Sequence, residues 1–357
     1  MSINKKMKIM HVLKSSVYSG AENVVITIIK NLTAEFDFLY VSSEGSIRLI
    51  LEERKIPFAL LDKFDKKSLK RVIKEYKPDI IHAHDFSASV LCAMCAGKIR
   101  LISQLHYDPP WVRRWNVKTI MYTLCFPKIE KLLIVSETSF LNMVFSKIYL
   151  QKAKVIANPI DISKIRDMSK KSTEIIKVGD QGCDVIFVGR FVEQKNPQRF
   201  IHLIHLLKRS GFSNIKAEML GCGELEEKCR LLIKSLDLDD NIEIRGFQKN
   251  PYPDIRKSKL LCMTSRWEGY GLVLVEANSL GIPVVSSRTA GSEEVLGKDA
   301  EELCENDEEF LKKISLLLNN QTEYNNWKSR SLCRAEKVKQ IDDYMKDMKN
   351  IYWKCMG

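Results

Sequence analysis

The segment TSRWEGYGLVLVEANSLGIPVVSS contains two glutamates, Glu268 and Glu276, on either side of a predicted helix start. A Gly-aromatic-Gly turn leads into that helix, and the turn and the first helical position are Gly269, Tyr270, Gly271 and Leu272. Carboxylates accept hydrogen bonds from vicinal hydroxyls, and the amides of a helix N-terminus bind phosphate. The segment therefore predicts one carboxylate at a ribose, the other at a sugar ring, and an anion at the helix start. Two glutamates at this spacing are common by chance, so the turn and the helix start give the pair its weight.

Two cations, Arg190 and Lys195, follow a short apolar run in the segment VGRFVEQKNP. Gly189 leaves room for a ligand at the backbone, and Pro197 marks the first turn of a predicted helix. Fixed cations beside a helix N-terminus suit a diphosphate, because charge-assisted hydrogen bonds are the stronger ones. Gly221 and Gly223 open a helix after the next predicted strand, and two glycine turns at equivalent places in one sheet strengthen the signal. Gly20, at the turn after the first strand, is a weak signal by itself.

Histidines are few, at six, and three of them lie near predicted strand ends. His82 and His84 alternate on one strand, so both are predicted to project from the same face. His106 follows the next strand. The other three are interpreted as packing or surface residues: His11, His202 and His205. A histidine pair without a third ligand does not make a zinc site, so we predict no metal and no cofactor.

These residues must be positioned by short apolar strands that alternate with amphipathic helices along the whole chain. Near-continuous apolar strands between helices predict parallel sheets covered on both faces, an α/β class of doubly wound layers. The predicted strands span residues 8–13, 36–42, 79–84, 100–105, 131–136 and 154–158, and then 184–189, 216–221, 241–246, 259–265 and 282–287. Helices are expected to begin near Pro197, Glu224, Leu272 and Glu293. Ligands in such sheets lie at the carboxyl ends of the strands.

The alternation is interrupted after Asn158-Pro159 by a charged stretch, DISKIRDMSKKSTEIIKVGDQG, which we interpret as a linker. This divides the chain into a first Rossmann-like domain over residues 1–165 and a second over 166–335. Residues from about 307 onward look helical, and residues 336–357 are expected to form a C-terminal helix that could pack back on the first domain. Two such domains predict a cleft between them.

The chain has 357 residues, of which 45% are hydrophobic and 29% charged, values typical of an ordinary globular protein of two domains. Its longest apolar runs are far short of the roughly 20 residues that a membrane span needs. Ten scattered cysteines and an N-terminus without a signal-peptide pattern indicate reduced thiols and a cytoplasmic protein. The P-loop and the Gly-x-Ser-x-Gly elbow are both missing from the sequence, which disfavours those enzyme classes.

The positive charge is concentrated in the first half. Residues 1–165 contain 26 Lys and Arg against 15 Asp and Glu, whereas the rest contain 31 against 30. Within the first half, aromatic and cationic side chains interleave in PPWVRRWNVK, at Trp111, Arg113, Arg114, Trp115 and Lys118. This pattern suits an anionic membrane surface. A packed helix with a solvated face is an equal alternative, and nucleic acid is a weaker one.

Taken together, these motifs resemble the retaining glycosyltransferases of family 4, which have the GT-B fold. The segment SRWEGYGLVLVEANSLGIPVVSSRTAGSEEVL is similar to the family signature, with two glutamates separated by seven residues. VGRFVEQKNP is similar to its phosphate-binding stretch, and NPID and DIIHAH are similar to two further stretches. The first turn departs from the family, because Ser19 replaces a usual glycine, and Tyr107 replaces a small residue after His106.

The resemblance implies metal-independent transfer of a hexose or acetamido-hexose, with retention, from a nucleotide diphosphate sugar that is most often UDP-linked. It implies that Arg190 and Lys195 hold the diphosphate, Glu276 the ribose, and Glu268 the donor sugar. The amides of Gly271 and Leu272 would meet phosphate, and His106 would lie near the transferred sugar. The implied acceptor is a lipid-linked or growing surface glycan, such as capsule or O-antigen, at the inner face of the cell membrane.

Two other functions remain open from the sequence. A nucleotide-sugar 2-epimerase has a related two-domain fold and would need no acceptor. A non-enzymatic module that binds nucleotide sugars or nucleic acid is favoured only by the basic charge, and the sequence contains no recognisable nucleic-acid motif. The expected partners are thus a nucleotide sugar, a glycan acceptor and an anionic membrane, without nucleic acid.

Overall fold

The computed structural model describes residues 6–107, 109–171 and 182–356. The chain forms two compact units, one of residues 1–159 together with 339–357, the other of residues 160–338. These boundaries lie a few residues from the predicted 165 and 335. The difference arises because a helix directly after Pro159 packs on the second unit, as detailed below.

The first unit is built on a seven-stranded sheet in which every neighbouring pair is parallel. The strands are β1 (Met7–Val12), β2 (Phe36–Ser43), β3 (Phe58–Leu61), β4 (Ile80–His84), β5 (Arg100–Leu105), β6 (Ile129–Ile134) and β7 (Ala153–Val155). Their order in the sheet is β3-β2-β1-β4-β5-β6-β7. The register pairs His11 with His82, and His84 with Gln104. Of these seven strands, only β3 had no counterpart among the predicted strands.

Helices cover both faces of this sheet. They are α1 (Gly20–Leu32), α2 (Ile47–Glu53), α3 (Lys66–Tyr76), α4 (Asp85–Cys95), α5 (Val117–Leu124), α6 (Glu137–Leu141) and α7 (Ser146–Tyr149), with a 3-10 turn at Pro110–Arg113. Apolar side chains from the two faces form two separate cores. The sheet is therefore buried on both sides, as the near-continuous apolar strands predict.

The second unit repeats this plan with a six-stranded parallel sheet of order β10-β9-β8-β11-β12-β13. Its strands are β8 (Val185–Val188), β9 (Ala217–Leu220), β10 (Ile242–Gly246), β11 (Leu260–Met263), β12 (Val284–Ser287) and β13 (Leu303–Cys304). Its helices are α8 (Ile162–Ser169), α9 (Pro197–Arg209), α10 (Glu226–Ser235), α11 (Tyr252–Lys257), α12 (Leu272–Ser279), α13 (Ala290–Leu296), α14 (Asp307–Asn319) and α15 (Gln321–Lys337).

The interpretation of the charged stretch after Pro159 as a linker was wrong for its first part. Residues 162–169 form α8, which packs on α11 and α12 and buries Ile162 and Ile165. Two apolar residues one turn apart are enough to bury one face of a short helix that is otherwise polar. Residues 172–181, the second part of the predicted linker, lie outside the described residues.

The chain ends in α16 (Ile341–Met356), which belongs to the first unit and packs on α1. Its buried face includes Tyr344, Met348 and Tyr352, which join the core on that side of the seven-stranded sheet. The last helix thus places the Tyr352 hydroxyl group against His82 and the Tyr344 hydroxyl group against Gln104.

Candidate functional site

Two of the predicted glycine turns lie side by side in the second unit, at the carboxyl ends of β8 and β9. The Gly189 amide donates to the Leu220 carbonyl at 3.0 Å. Gly221 has φ +140°, and a Cβ added there would lie 1.9 Å from the Gly189 carbonyl oxygen. Any side chain at Gly221 would therefore push the two turns apart. A Cβ at Gly223 would similarly lie 2.5 Å from the Phe191 carbonyl oxygen.

Lys195 and Glu268, which stand 73 positions apart in the sequence, form an ion pair in the same unit. Ser265 Oγ donates to the same carboxylate oxygen, Oε1 of Glu268, at 2.6 Å. The side chains of Lys195 and Glu268 are only 20% and 7% exposed. Two donors on a buried carboxylate oxygen offset the loss of its hydration. Lys195, which was predicted to bind phosphate, is thus in direct contact with Glu268, which was predicted to bind the sugar.

The loops that carry this pair are fastened to each other by contacts that the sequence analysis missed. Gln194 Nε2 donates to the Trp267 carbonyl at 3.1 Å, and the Arg266 amide donates to the Gln194 carbonyl at 2.8 Å. The Gly291 amide donates to the Glu268 carbonyl at 2.9 Å. These contacts join the turns after β8, β11 and β12. Sequence spacing gives no signal for them.

Glu276 lies in the second turn of α12, which begins at Leu272 as predicted. Gly271 caps the helix with φ +75°, a conformation that favours glycine. Tyr252 Oη donates to Glu276 Oε1 at 3.2 Å. Burial raises the pKa of Glu276, while the Tyr252 hydrogen bond and the positive charge of Lys195 oppose the increase. Lys195 therefore acts electrostatically on both glutamates. Arg190 is exposed in the loop that also carries Lys195.

The remaining helix starts differ from the predictions by two or three residues. The helix after Gly223 begins at Glu226 rather than near Glu224, since an irregular turn precedes it. The helix expected near Glu293 begins at Ala290, because Thr289 caps it by accepting a hydrogen bond from the Ser292 amide. Gly20 is the first residue of α1, and Ser19 Oγ donates to Glu22 Oε2 at 2.5 Å.

In the first unit, the histidines gather at the carboxyl ends of β1, β4 and β5. The rings of His82 and His84 are 4.3 Å apart, which confirms that both project from one face. His11 Nδ1 and His84 Nε2 are 2.9 Å apart, and His84 Nδ1 and His106 Nε2 are also 2.9 Å apart. Burial lowers the pKa of His11 to about 3 and that of His106 to about 4. The rings are therefore neutral at physiological pH.

His11, assigned to packing or the surface by sequence, is completely buried beside this pair and supplies the third nitrogen that the pair lacked. His11, His82 and His84 offer ring nitrogens that all lie within 4.8 Å of one another. Tetrahedral zinc with Zn–N bonds of about 2.0–2.1 Å would separate its ligand nitrogens by roughly 3.4 Å. The 2.9 Å contact between His11 and His84 instead has the length of a hydrogen bond.

The predicted membrane patch is divided between surface and interior. Trp111 packs against Phe86 with ring centroids 4.8 Å apart, and Lys118 Nζ lies 5.2 Å from the Trp111 ring centroid. Arg113, Arg114 and Trp115 are exposed. Next to them, α5 exposes an apolar stripe at helical spacing, which consists of Val117, Ile120, Met121 and Leu124. Among the described residues, none of the helices has the length and apolar character to cross a membrane.

Comparisons with known proteins match both units. The model for Glycosyltransferase Family 4 matches residues 18–164, and the model for Glycosyl transferases group 1 matches residues 170–332. An uncharacterized glycosyltransferase of Methanocaldococcus jannaschii is 30% identical over 261 residues, which are 68% of this chain and 64% of that protein. A Campylobacter jejuni N-acetylgalactosamine-N,N'-diacetylbacillosaminyl-diphospho-undecaprenol 4-alpha-N-acetylgalactosaminyltransferase is 24% identical and covers 92% of this chain and 95% of its own length.

The fold is also that of solved structures. Anabaena HepE, solved in complex with UDP and glucose, superimposes with a TM-score of 0.83 at 19% identity, over 98% of this chain and 100% of that one. Two Rossmann-like units of parallel sheets, with helices on both faces, confirm the predicted GT-B class.

Proposed function

Since the chain belongs to the glycosyltransferases of family 4 and group 1, we propose that it is a retaining, metal-independent transferase. Its donor would be a hexose or an acetamido-hexose linked to UDP, and its acceptor a lipid-linked or growing surface glycan. HepE, of the same fold, binds UDP and glucose, and the Campylobacter relative acts on a diphospho-undecaprenol glycan. The observation that carries the donor assignment is the contact of Lys195 with Glu268, together with the charge effect of Lys195 on Glu276 in the second turn of α12.

This arrangement suits a nucleotide diphosphate sugar. Lys195 and Arg190 would hold the diphosphate, and the amides of Gly271 and Leu272 would meet phosphate at the helix start. Glu276 would accept hydrogen bonds from the ribose, and Glu268 from the donor sugar. The glycine turns at Gly189, Gly221 and Gly223, with Gly20 in the first unit, would let the ligand approach the backbone. Gly269 and Tyr270 would complete this set.

In this proposal, two cations would take the place of a metal ion. As the bond to the sugar breaks, negative charge grows on the departing diphosphate, and fixed positive charge stabilises that state more than the ground state. Lys195 supplies such a charge at a position already set by Glu268 and Ser265. When a diphosphate arrives, Lys195 would be shared between it and Glu268. His106 would lie near the transferred sugar, as the family resemblance implies.

A transfer assay tests this proposal. UDP-glucose, UDP-galactose and their acetamido derivatives are incubated in EDTA with undecaprenyl-diphosphate-linked mono- and disaccharides, and lipid-linked product is measured. We expect product with an α-linkage in its proton NMR spectrum, and its loss in Glu276→Ala but not in Glu243→Ala, an exposed glutamate on β10. A β-linked product, a requirement for metal, or turnover of the donor without an acceptor would each contradict the proposal.

We further propose that α5 docks on an anionic membrane surface. Its exposed stripe provides apolar contact, with Val117 72% and Leu124 74% exposed. Arg113, Arg114 and Lys118 surround that stripe with positive charge, and Trp115 is suited to the interface. Residues 1–165 carry nearly all of the chain's excess positive charge.

Sedimentation with vesicles tests the membrane contact. Vesicles of phosphatidylglycerol and phosphatidylethanolamine should bind the wild type, and Val117→Asp with Leu124→Asp should abolish the binding. Leu231→Asp, which changes a leucine of the second unit that is 60% exposed, should bind like the wild type. Equal binding by all three proteins, or binding unaffected when Arg113, Arg114 and Lys118 become Ala, would contradict this surface.

A further inference from the structure

Two buried hydroxyl groups directly follow β11, on Thr264 and Ser265, and neither is among the ligand-binding residues of the proposed function. Thr264 is 0% exposed and Ser265 is 2% exposed. Thr264 Oγ1 donates to the carbonyl oxygens of Asn196, at 3.0 Å, and Lys195, at 3.2 Å. Ser265 Oγ donates instead to Glu268 Oε1 at 2.6 Å. Two consecutive residues thus hold different parts of the site, the main chain at Lys195 and the side chain of Glu268.

The hydrogen bond from Ser265 differs from the ion pair on the same carboxylate, because Ser265 carries no charge that a ligand could attract. Lys195 and Ser265 both donate to Oε1 of Glu268, and none of the residues that the structure describes donates to Oε2. A bound diphosphate would draw the Lys195 ammonium group toward its own oxygens. Ser265 would then be the donor that keeps the carboxylate in place, with Oε2 available to a sugar hydroxyl.

We propose that Ser265 is the positioning residue for Glu268 and that Thr264 is the positioning residue for Lys195. The Ser265 hydroxyl fixes the direction in which Glu268 presents Oε2 to the donor sugar. The Thr264 hydroxyl fixes the backbone from which Lys195 reaches the diphosphate. The two hydroxyls therefore control the recognition of different parts of one ligand. This division rests on the proposed function, which assigns a nucleotide diphosphate sugar to the site.

Removing each hydroxyl should change donor binding in a different way. In Ser265→Ala, a carboxylate that is only 7% exposed keeps Lys195 as its one donor and loses the bond that fixes its direction. Hydrogen bonds weaken steeply when their geometry is poor, so the contribution of the sugar to binding should fall. In Thr264→Val, the side chain keeps its shape but releases the backbone at Lys195. The diphosphate should then bind more weakly, with or without a sugar attached to it.

Calorimetric titrations in EDTA measure the Kd of UDP and of the UDP-sugar that the wild type binds best among UDP-glucose, UDP-galactose and their acetamido derivatives. Ser265→Ala should raise the ratio of the UDP-sugar Kd to the UDP Kd by roughly 10-fold, as expected for loss of a hydrogen bond to a charged group. Thr264→Val should raise both constants together by roughly 3- to 10-fold and leave their ratio unchanged. Ser258→Ala is the matched control, since this buried serine precedes β11 at its other end and donates to the Ile255 carbonyl at 2.7 Å. It should leave both constants unchanged.

Thermal unfolding without ligand tests the contact between Ser265 and Glu268 itself. Ser265→Ala should lower Tm by roughly 3–6 °C when Glu268 is present. In the Glu268→Ala background the same change should cost less than half of that, because the buried hydroxyl has already lost its acceptor. Equal losses of Tm in the two backgrounds would overturn the proposal, whatever ligand the protein binds.

The titrations separate this proposal from the proposed function. An unchanged Kd ratio in Ser265→Ala, in a protein that binds UDP and a UDP-sugar, would overturn the role of Ser265 and leave the proposed function standing. Wild-type UDP binding in Thr264→Val would overturn the role of Thr264. If the wild type bound no nucleotide, the proposed function would be contradicted, and the roles of both hydroxyls in donor recognition with it. The unfolding data would still decide whether Ser265 holds Glu268.

Discussion

Variants of the ion pair between Lys195 and Glu268 can separate its effect on the stability of the protein from its proposed effect on UDP binding. Lys195→Met leaves the carboxylate, which is 7% exposed, with only the Ser265 hydroxyl group as a donor. Breaking a fully buried pair costs about 3–5 kcal/mol. Because the Lys195 side chain is 20% exposed, water can solvate part of the site, and we expect a loss of about 2 kcal/mol. For a unit of this size, that corresponds to a fall in Tm of roughly 4–8 °C.

The double variant Lys195→Met with Glu268→Gln removes both charges while retaining similar volumes. It should recover most of the lost Tm, because no unpaired charge remains buried. It should not recover UDP binding, because the cation that we propose holds the diphosphate is still missing. Calorimetric unfolding of the single and double variants, with and without UDP, measures both effects. A double variant no more stable than Lys195→Met, or one that binds UDP like the wild type, would refute this account of the pair.

Two further predictions concern stability, one at Gly221 with Gly211 as a control and one at Asp85. Gly221→Ala should destabilise the second unit by at least about 2 kcal/mol and abolish UDP binding, because its Cβ would lie 1.9 Å from the Gly189 carbonyl oxygen. Gly211 also has a positive φ, +112°, but a Cβ there would lie in open space, so Gly211→Ala measures the cost of the backbone conformation alone. Equal losses of Tm in Gly221→Ala and Gly211→Ala would show that the close contact between the two turns is unimportant. Burial raises the pKa of Asp85 to about 7, with the His106 amide opposing and Glu22 adding to the increase. A raised acid pKa contributes stability that is present below pH 4 and lost as the pH rises to about 7, so Asp85→Asn should gain stability relative to the wild type over that range. Urea unfolding at pH 4.5 and 7.5 measures this, and a difference that does not change with pH would count against it.

Local signals in the sequence predicted much of the fold and part of the site. The Gly-aromatic-Gly turn located the start of α12 at Leu272, because a glycine in the left-handed region caps a helix there. The alternation of His82 and His84 was enough to place both on one face of β4. Such features depend on a few consecutive residues, and the chemistry of those residues determines them.

The missing parts depend on residues that are distant in the sequence. Tyr352 reaches His82 across 270 positions, and Gln194 reaches the Trp267 carbonyl across 73. Tyr352 lies in no motif, and Gln194 lies within VGRFVEQKNP without a role of its own there, since a buried tyrosine or a loop glutamine is common in any chain. The helix α8 was missed for another reason, because its many charges outweigh the two isoleucines that anchor it.

Binding of UDP in EDTA tests the central claim most directly. A thermal-shift panel of UDP, GDP, ADP and their common sugar conjugates is measured on the wild type, Glu276→Ala and Glu243→Ala. A ligand at 100 times its Kd should stabilise the protein by about 2.7 kcal/mol. The account predicts that uridine ligands alone stabilise the wild type and Glu243→Ala, and that Glu276→Ala loses the effect. If no nucleotide shifted the wild type, or if Glu276→Ala responded to UDP as the wild type does, the assignment of the donor site to Lys195, Glu268 and Glu276 would be contradicted.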